Sequence, residues 1–270
     1  MDDRVSVSIS AGIADVRLVR ADKMNALDAA MFDALVATSG RLAKEKGIRA
    51  VVLSGEGRSF CAGLDMGRFA SMREKGGDGI AGNETRDLAA RTHGLANFPQ
   101  QAVWGWRQLP VPVIAAIQGV AFGGGFQLAL GADMRFLAPD ARMSIMEIKW
   151  GLVPDMAGTP ILASLVRDDI LRELTYTGRI FSAQEALSYG LATRICDDPR
   201  MAALEVAREI AAKSPEAIRA AKRMLNNLAV DPGPALLAES VEQMKLMGGP
   251  NQLEAVRANL EKRAPRFADV

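Results

Sequence analysis

Two carboxylates and two glycine-bearing loops are the parts of this 270-residue sequence whose types and spacing can do chemistry. Glu147 and Asp155 stand eight residues apart across Trp150-Gly151-Leu152-Val153-Pro154, which reads as a turn, so both can face one cleft. A carboxylate in an apolar pocket becomes a usable general base or acid near neutral pH. The loops lie in residues 50–64 and 113–127, and both follow one pattern: an apolar strand, a loop with unhindered glycine backbone, then a helix start. Gly123-Gly124-Gly125 lets the backbone take angles closed to other residues and come close to a ligand. The amides that follow lie at a helix N-terminus, where free N–H groups and the positive dipole end favour negative charge. If the two loops converge, one N–H from each can hold a single carbonyl oxygen as an oxyanion hole. The residues alone leave open a plainer alternative, a tight strand–helix packing turn without chemistry. The G-x-G-x-x-G spacing of a dinucleotide site is absent.

Composition narrows the classes. Apolar residues make up 49% and charged residues 24% of the chain, as in ordinary globular proteins. A net charge of +1 gives no electrostatic case for nucleic acid or an anionic membrane surface. Cys61 and Cys196 are the only cysteines and do not form C-x-x-C, which fits a reducing compartment better than a disulfide framework. His93 is the only histidine, which rules out a histidine-rich metal site and most Ser-His-Asp schemes; it is expected on a surface or pocket wall. Met1-Asp2-Asp3-Arg4 leads into no apolar block, so no signal peptide is expected. Residues 108–132 carry no charge, but Pro110, Pro112 and five glycines make them strand, loop and helix rather than a membrane span. A cytoplasmic protein is expected.

The elements that must position these groups follow in order. Residues 4–20 read as a β-hairpin turning at Ala11-Gly12. Asp28 is a candidate N-cap for a helix to about Lys46, ended by Gly47, and residues 50–54 form a fully apolar buried strand. Residues 73–83 are a glycine-rich charged excursion, and residues 84–109 carry a helical pattern with His93, Phe98, Trp104 and Trp106. Strands are expected at 113–117 and 134–138, a strand or strand exit at 143–149, and a last strand at 191–195. Thr159-Pro160 reads as an N-cap followed by proline at the first helical position, and Ser182 with Glu185 as a capping box. Beyond Pro199 every periodic segment is helical. The β-then-helix module recurs loosely, which suggests a stacked β/α spiral or another open α/β layer structure followed by a helical tail.

Phe60-Cys61-Ala62-Gly63-Leu64-Asp65, Gln118 to Gly125, and Glu147 followed by Gly151-Leu152-Val153-Pro154 together resemble the crotonase (enoyl-CoA hydratase/isomerase) superfamily. Asn25-Ala26-Leu27 and the stretch from Gly178-Arg179 to Gly190-Leu191 match as well, so the resemblance spans nearly the whole chain. It implies an α/β spiral of stacked ββα units over residues 1–198 that binds acyl-CoA and carries the catalytic groups. It implies a helical trimerisation region over 199–270, with assembly as a homotrimer or a dimer of trimers. It also implies an acyl-CoA thioester ligand, with no cofactor beyond its coenzyme A moiety and no metal.

Carried over by position, the backbone amides of Leu64 and Gly124 form the oxyanion hole for the thioester carbonyl. The resemblance puts coenzyme A near Lys23, Ala26, Arg58, Cys61, Ala62 and Asp65, with Lys262 and Phe267 on a tail that reaches a neighbouring subunit's ligand. Phe69, Phe98, Trp104 and Trp106 are candidates for an acyl pocket, though packing against the core explains their spacing equally well. Cys61 has no partner base that would make it a nucleophile. The departure from the family lies at Gln127. Family hydratases carry a glutamate there and a second where Glu147 stands; an amide can orient water or substrate but cannot accept a proton. A single glutamate resembles family double-bond isomerases, and Asp155 matches the aspartate of dienoyl-CoA isomerases. The expectation is an isomerase with Glu147 as acid/base and Asp155 as second acid or modulator. The alternatives are an enoyl-CoA hydratase of fatty-acid degradation and a non-catalytic acyl-CoA-binding scaffold.

Overall fold

The computed structural model describes residues 4–67, 87–226, 232–263 and 265. Strands β1 (Val5–Ser10) and β2 (Ile13–Leu18) form an antiparallel hairpin whose two turn residues, Ala11 and Gly12, both have positive φ. That is the twist a two-residue hairpin needs. Helix α1 (Ala29–Lys44) starts where Asp28 accepts a hydrogen bond from the Met31 amide at 2.8 Å. It stops at Lys44, ahead of Gly47, because Glu45 already leaves in an extended conformation. Strand β3 (Ala50–Gly55) is buried at every position and pairs parallel with β2.

The helical pattern of 84–109 shortens to α2 (Phe98–Gln108) among the described residues. Asn97 and Gln100 form a reciprocal capping box with Pro99 in the first turn, and this fixes the helix start there. Strand β4 (Val113–Ile117) lies parallel to β3, and β5 (Val120–Phe122) leads into α3 (Gly124–Leu130). Strand β6 (Met134–Leu137) pairs with β4, and β7 (Arg142–Ser144) pairs with β5. The expected strand 143–149 ends at Ser144, and Glu147–Trp150 form a 3-10 turn closed by Gly151 at φ 70°.

Helix α4 (Gly158–Leu162) has Ala157, at φ 66°, as its cap residue, so Thr159 lies inside the helix and caps nothing. Helix α5 (Asp168–Thr177), strand β8 (Phe181–Ser182), α6 (Ala183–Ser188) and strand β9 (Arg194–Ile195) follow. The Ser182–Glu185 capping box is present. Helices α7 (Pro199–Ala211), α8 (Pro215–Asn226), α9 (Gly233–Leu246) and α10 (Pro250–Leu260) complete the described chain.

Two sheets result: a larger one ordered β1-β2-β3-β4-β6-β9 and a smaller one ordered β5-β7-β8. Successive strands β4 and β5, then β6 and β7, step from one sheet to the other, which is the stacked ββα spiral. The main core fills the inside, where Val51, Leu53, Ala115 and Ile117 point. Their neighbours Ala50, Val52, Ile114 and Ala116 face outward and are covered by Ala203 and Ala207 of α7. Burial on both faces is why β3 and β4 read as unbroken apolar runs. Helix α7 therefore packs against the larger sheet. The uncharged window 108–132 divides into the end of α2, β4, β5 and α3; no helix among the described residues is long and apolar enough to cross a membrane.

Candidate active site

The two glycine loops meet edge to edge. The amide of Phe60 donates to Gln118 O at 2.9 Å, that of Cys61 to Val120 O at 3.0 Å, and that of Phe122 to Cys61 O at 3.1 Å. Glycine is required on both sides of this seam. A Cβ on Gly63, at φ +88°, would lie 2.5 Å from Phe122 O, and one on Gly125 would lie 2.3 Å from Cys61 O. Asn25, buried and at φ 55°, holds the first loop from behind by donating to Glu56 O and Ser59 O at 3.0 and 2.9 Å.

Leu64 pairs with Leu27 in an isolated parallel bridge formed by Leu27 N to Gly63 O and Asp65 N to Leu27 O. In that pattern the Leu64 amide turns away from Leu27. Gly124 opens α3, so its N–H precedes the first intrahelical bond. Both residues line a cavity of about 790 Å³.

Glu147 and Asp155 line the same cavity and are buried. Between them stands Gln127 on α3. Its Oε1 accepts from the Met156 and Gly158 amides at 2.9 and 3.0 Å, so its amide nitrogen must point the other way, and it donates to Glu147 Oε1 at 2.6 Å. Glu147 Oε2 is buried and has no partner among the described residues. Loss of solvation dominates this carboxyl and pushes it up to about 7, although the Gln127 bond favours the anion. Asp155 is also raised well above the usual carboxylate range, first by burial and then by the charges of Glu239 and Glu147.

Of the positions expected to contact coenzyme A, Lys23, Ala26, Ala62 and Asp65 line the cavity, and Arg20 joins them, bonded to Asp65 at 2.5 Å. Arg58 and Cys61 do not. Arg58 is exposed, and its carbonyl abuts Gly119. Cys61 is fully buried, its thiol donating to Asn25 O and pushed up to about 12 by desolvation, which leaves no thiolate for chemistry. Lys262 is exposed at the end of α10 and lines no part of the cavity. Phe69, Phe267 and the excursion at 73–83 lie outside the described residues.

Three of the four aromatic candidates for the acyl pocket stand away from the cavity. Trp106 is fully buried, and Phe98 and Trp104 pack against the main core on α2, so none of the three lines the cavity. His93 is half-buried beside Phe98, away from the cavity. The apolar wall comes instead from Leu27, Phe122, Met146, Trp150, Leu152, Met156 and Ile180.

Two residues with no expected role stand here. Gln243 of α9 lines the cavity and donates to Asp155, while its own Oε1 accepts from the Val153 amide at 3.3 Å. Glu239, one helical turn earlier, is buried and accepts from the amides of Ala157 and Thr159; loss of solvation pushes its carboxyl up to about 7 against those donors. Their signal in the sequence is a helical stripe, Leu236-Glu239-Ser240-Gln243, whose polar members share the buried face with leucine. Among the described residues no group of three or more histidine, cysteine, aspartate or glutamate side chains is placed to hold a metal ion.

A family model described as enoyl-CoA hydratase/isomerase matches residues 8–270. Carnitinyl-CoA dehydratase of Proteus mirabilis is 33% identical over 253 residues, covering 91% of each chain. The mitochondrial Delta(3,5)-Delta(2,4)-dienoyl-CoA isomerase of Homo sapiens is 33% identical over 214 residues, covering 77% of this chain and 63% of that protein. Among solved structures, an enoyl-CoA hydratase/isomerase from Pseudoalteromonas atlantica superposes with a TM-score of 0.82 at 27% identity, over 98% of this chain and 100% of that one.

Proposed function

The chain belongs to the enoyl-CoA hydratase/isomerase family of the crotonase superfamily, and from that premise we propose that this acyl-CoA-processing enzyme shifts a carbon–carbon double bond in an enoyl- or dienoyl-CoA. The thioester oxygen sits between the Leu64 and Gly124 amides, which strengthen their hold as the ligand becomes enolate-like. Glu147 Oε2 removes a proton from one carbon of the acyl chain and returns it to another, so substrate and product have the same mass. Asp155, kept neutral, donates a hydrogen bond toward the same region.

One observation carries this reading. Gln127 is fixed by two backbone amides with its nitrogen on Glu147, which leaves one ionisable glutamate and one free carboxylate oxygen. A second carboxylate to activate water is missing at that position. Coenzyme A enters past Arg20, Lys23 and Asp65 and needs no further cofactor. Assembly as a homotrimer or a pair of trimers and a cytoplasmic location complete the proposal.

The test is turnover of 2-enoyl-, 3-enoyl- and 3,5-dienoyl-CoA in oxygen-18 water. A shifted double bond at unchanged mass is expected, and Glu147→Gln should lower the rate by about 10²–10⁴-fold. Oxygen-18 in the product would make the enzyme a hydratase or hydrolase. A thermal shift with acyl-CoA and no turnover of any substrate would make it a binding protein.

A further inference from the structure

The turn that carries Asp155 is gripped from two sides by side chains of opposite chemical character. Its amide N–H groups alternate: those of Met156 and Gly158 go to the neutral Gln127 on the cavity side. Those of Ala157 and Thr159 go to the carboxylate of Glu239, one to each oxygen, at 3.0 and 2.9 Å. Glu239 does not line the cavity, so it acts from behind the wall. It also accepts from Gln100 Nε2 at 3.3 Å, and Arg91 donates to Gln100 Oε1 at 3.0 Å and to Ser240 Oγ at 2.9 Å.

Three carboxyl groups, Glu147, Asp155 and Glu239, are thus buried around one turn. The supply of donors differs among them. Glu239 has the backbone amides of Ala157 and Thr159, the Thr159 hydroxyl and the Gln100 amide, with the Arg91 cation beyond. Glu147 has Gln127. Asp155 has Gln243 and its own backbone amide, and its Oδ2 is buried with no partner among the described residues. Where like charges compete in a desolvated space, the negative charge settles where donors are most numerous and the proton where they are fewest. The groups facing Asp155 are Glu147 from the 3-10 turn and Glu239 and Gln243 from α9; α3 and α4 carry no titratable side chain. Arg91 is the cation on the far side of Glu239.

We propose that Glu239 is a positioning residue for the reaction: once ionised, its carboxylate behind the cavity wall keeps Asp155 protonated, and through Ala157 and Thr159 it holds the turn that aims Asp155 at the substrate. This inference rests on the proposed role of Asp155 as a neutral hydrogen-bond donor. It assigns to α9 a part in setting the pH range of the site, apart from any part in assembly.

The experiment is the pH profile of kcat for the full-length enzyme, its Asp155→Asn variant, and Glu239→Gln and Glu239→Asp. In the unmodified enzyme, ionisation of Glu147 sets the acid limb and loss of the Asp155 proton the alkaline limb. Removing the negative charge of Glu239 makes that proton easier to lose, so Glu239→Gln should move the alkaline limb down by about one pH unit, with KM within about twofold of its original value. Glu239→Asp keeps the charge and should restore the limb. Glu239→Met, neutral and of similar volume, carries the same expectation if the glutamine variant does not fold. In the Asp155→Asn background, Glu239→Gln should move nothing. If Asp155→Asn retains the alkaline limb, the reading of Asp155 fails. If Asp155→Asn loses the limb while neutral variants of Glu239 lower kcat equally at every pH, the inference about Glu239 fails by itself.

Discussion

Replacing Glu147 by glutamine should make the protein more stable as it makes the enzyme inactive, and the gain should depend on pH. The carboxyl has an ordinary value of 4.5 and is pushed up to about 7 because it is buried and one oxygen has no partner. A group whose folded value lies above its unfolded value costs nothing below the unfolded value, where both states hold the proton. The cost grows as pH rises from 4.5 to 7 and is complete above 7, where the folded state must bury a charge that the unfolded chain leaves in water. At about 1.4 kcal/mol per pH unit, the full penalty is about 3 kcal/mol. Glutamine is nearly isosteric, and its carbonyl oxygen can still accept from Gln127 Nε2, so little packing is lost. Denaturant unfolding of both proteins at pH 4.5 and pH 8 reads the effect: Glu147→Gln should gain about 3 kcal/mol at pH 8 and close to nothing at pH 4.5. An equal change at the two pH values, or a loss at pH 8, would refute the account of Glu147 as a desolvated base. A glutamate that merely holds the fold together would lose stability together with activity.

Two further outcomes separate packing from chemistry. Gly125→Ala puts a methyl group 2.3 Å from Cys61 O and must force the two glycine loops apart. It should cost at least about 2 kcal/mol of stability and weaken acyl-CoA binding at least about tenfold, checked by thermal unfolding and calorimetry. Trp106→Phe and Trp150→Ala should divide the roles of the aromatic residues: the first lowers stability by about 1–3 kcal/mol and leaves acyl-chain preference unchanged, whereas the second changes the ranking of kcat/KM across chain lengths.

How much of this was legible in the sequence differs from residue to residue. The hairpin, the Asp28 cap, the buried strands at 50–54 and 113–117 and the Ser182–Glu185 capping box were all readable, because each depends on residues a few positions apart. The start of α2 was readable too, since Asn97, Pro99 and Gln100 are a local cap, but the periodic pattern upstream hid it. Thr159-Pro160 misled for the opposite reason: the donors a local cap would satisfy are taken by Glu239, 80 residues away.

The sequence by itself determined the family, the glycine loops and the identities of the ionisable groups, since backbone freedom at Gly63 and Gly125 and proton chemistry at Glu147 belong to residue types. Only the tertiary structure decided which groups meet and in what electrostatic state. It turned the amide nitrogen of Gln127 onto Glu147, left Trp106 in the core with Trp104 packed against it, and brought Glu239 and Gln243 of the helical tail against Asp155. The physical reason is that a buried carboxyl's proton affinity is set by desolvation and by the donors and charges packed around it. Those neighbours come from helices whose spacing along the chain says nothing of their distance in space.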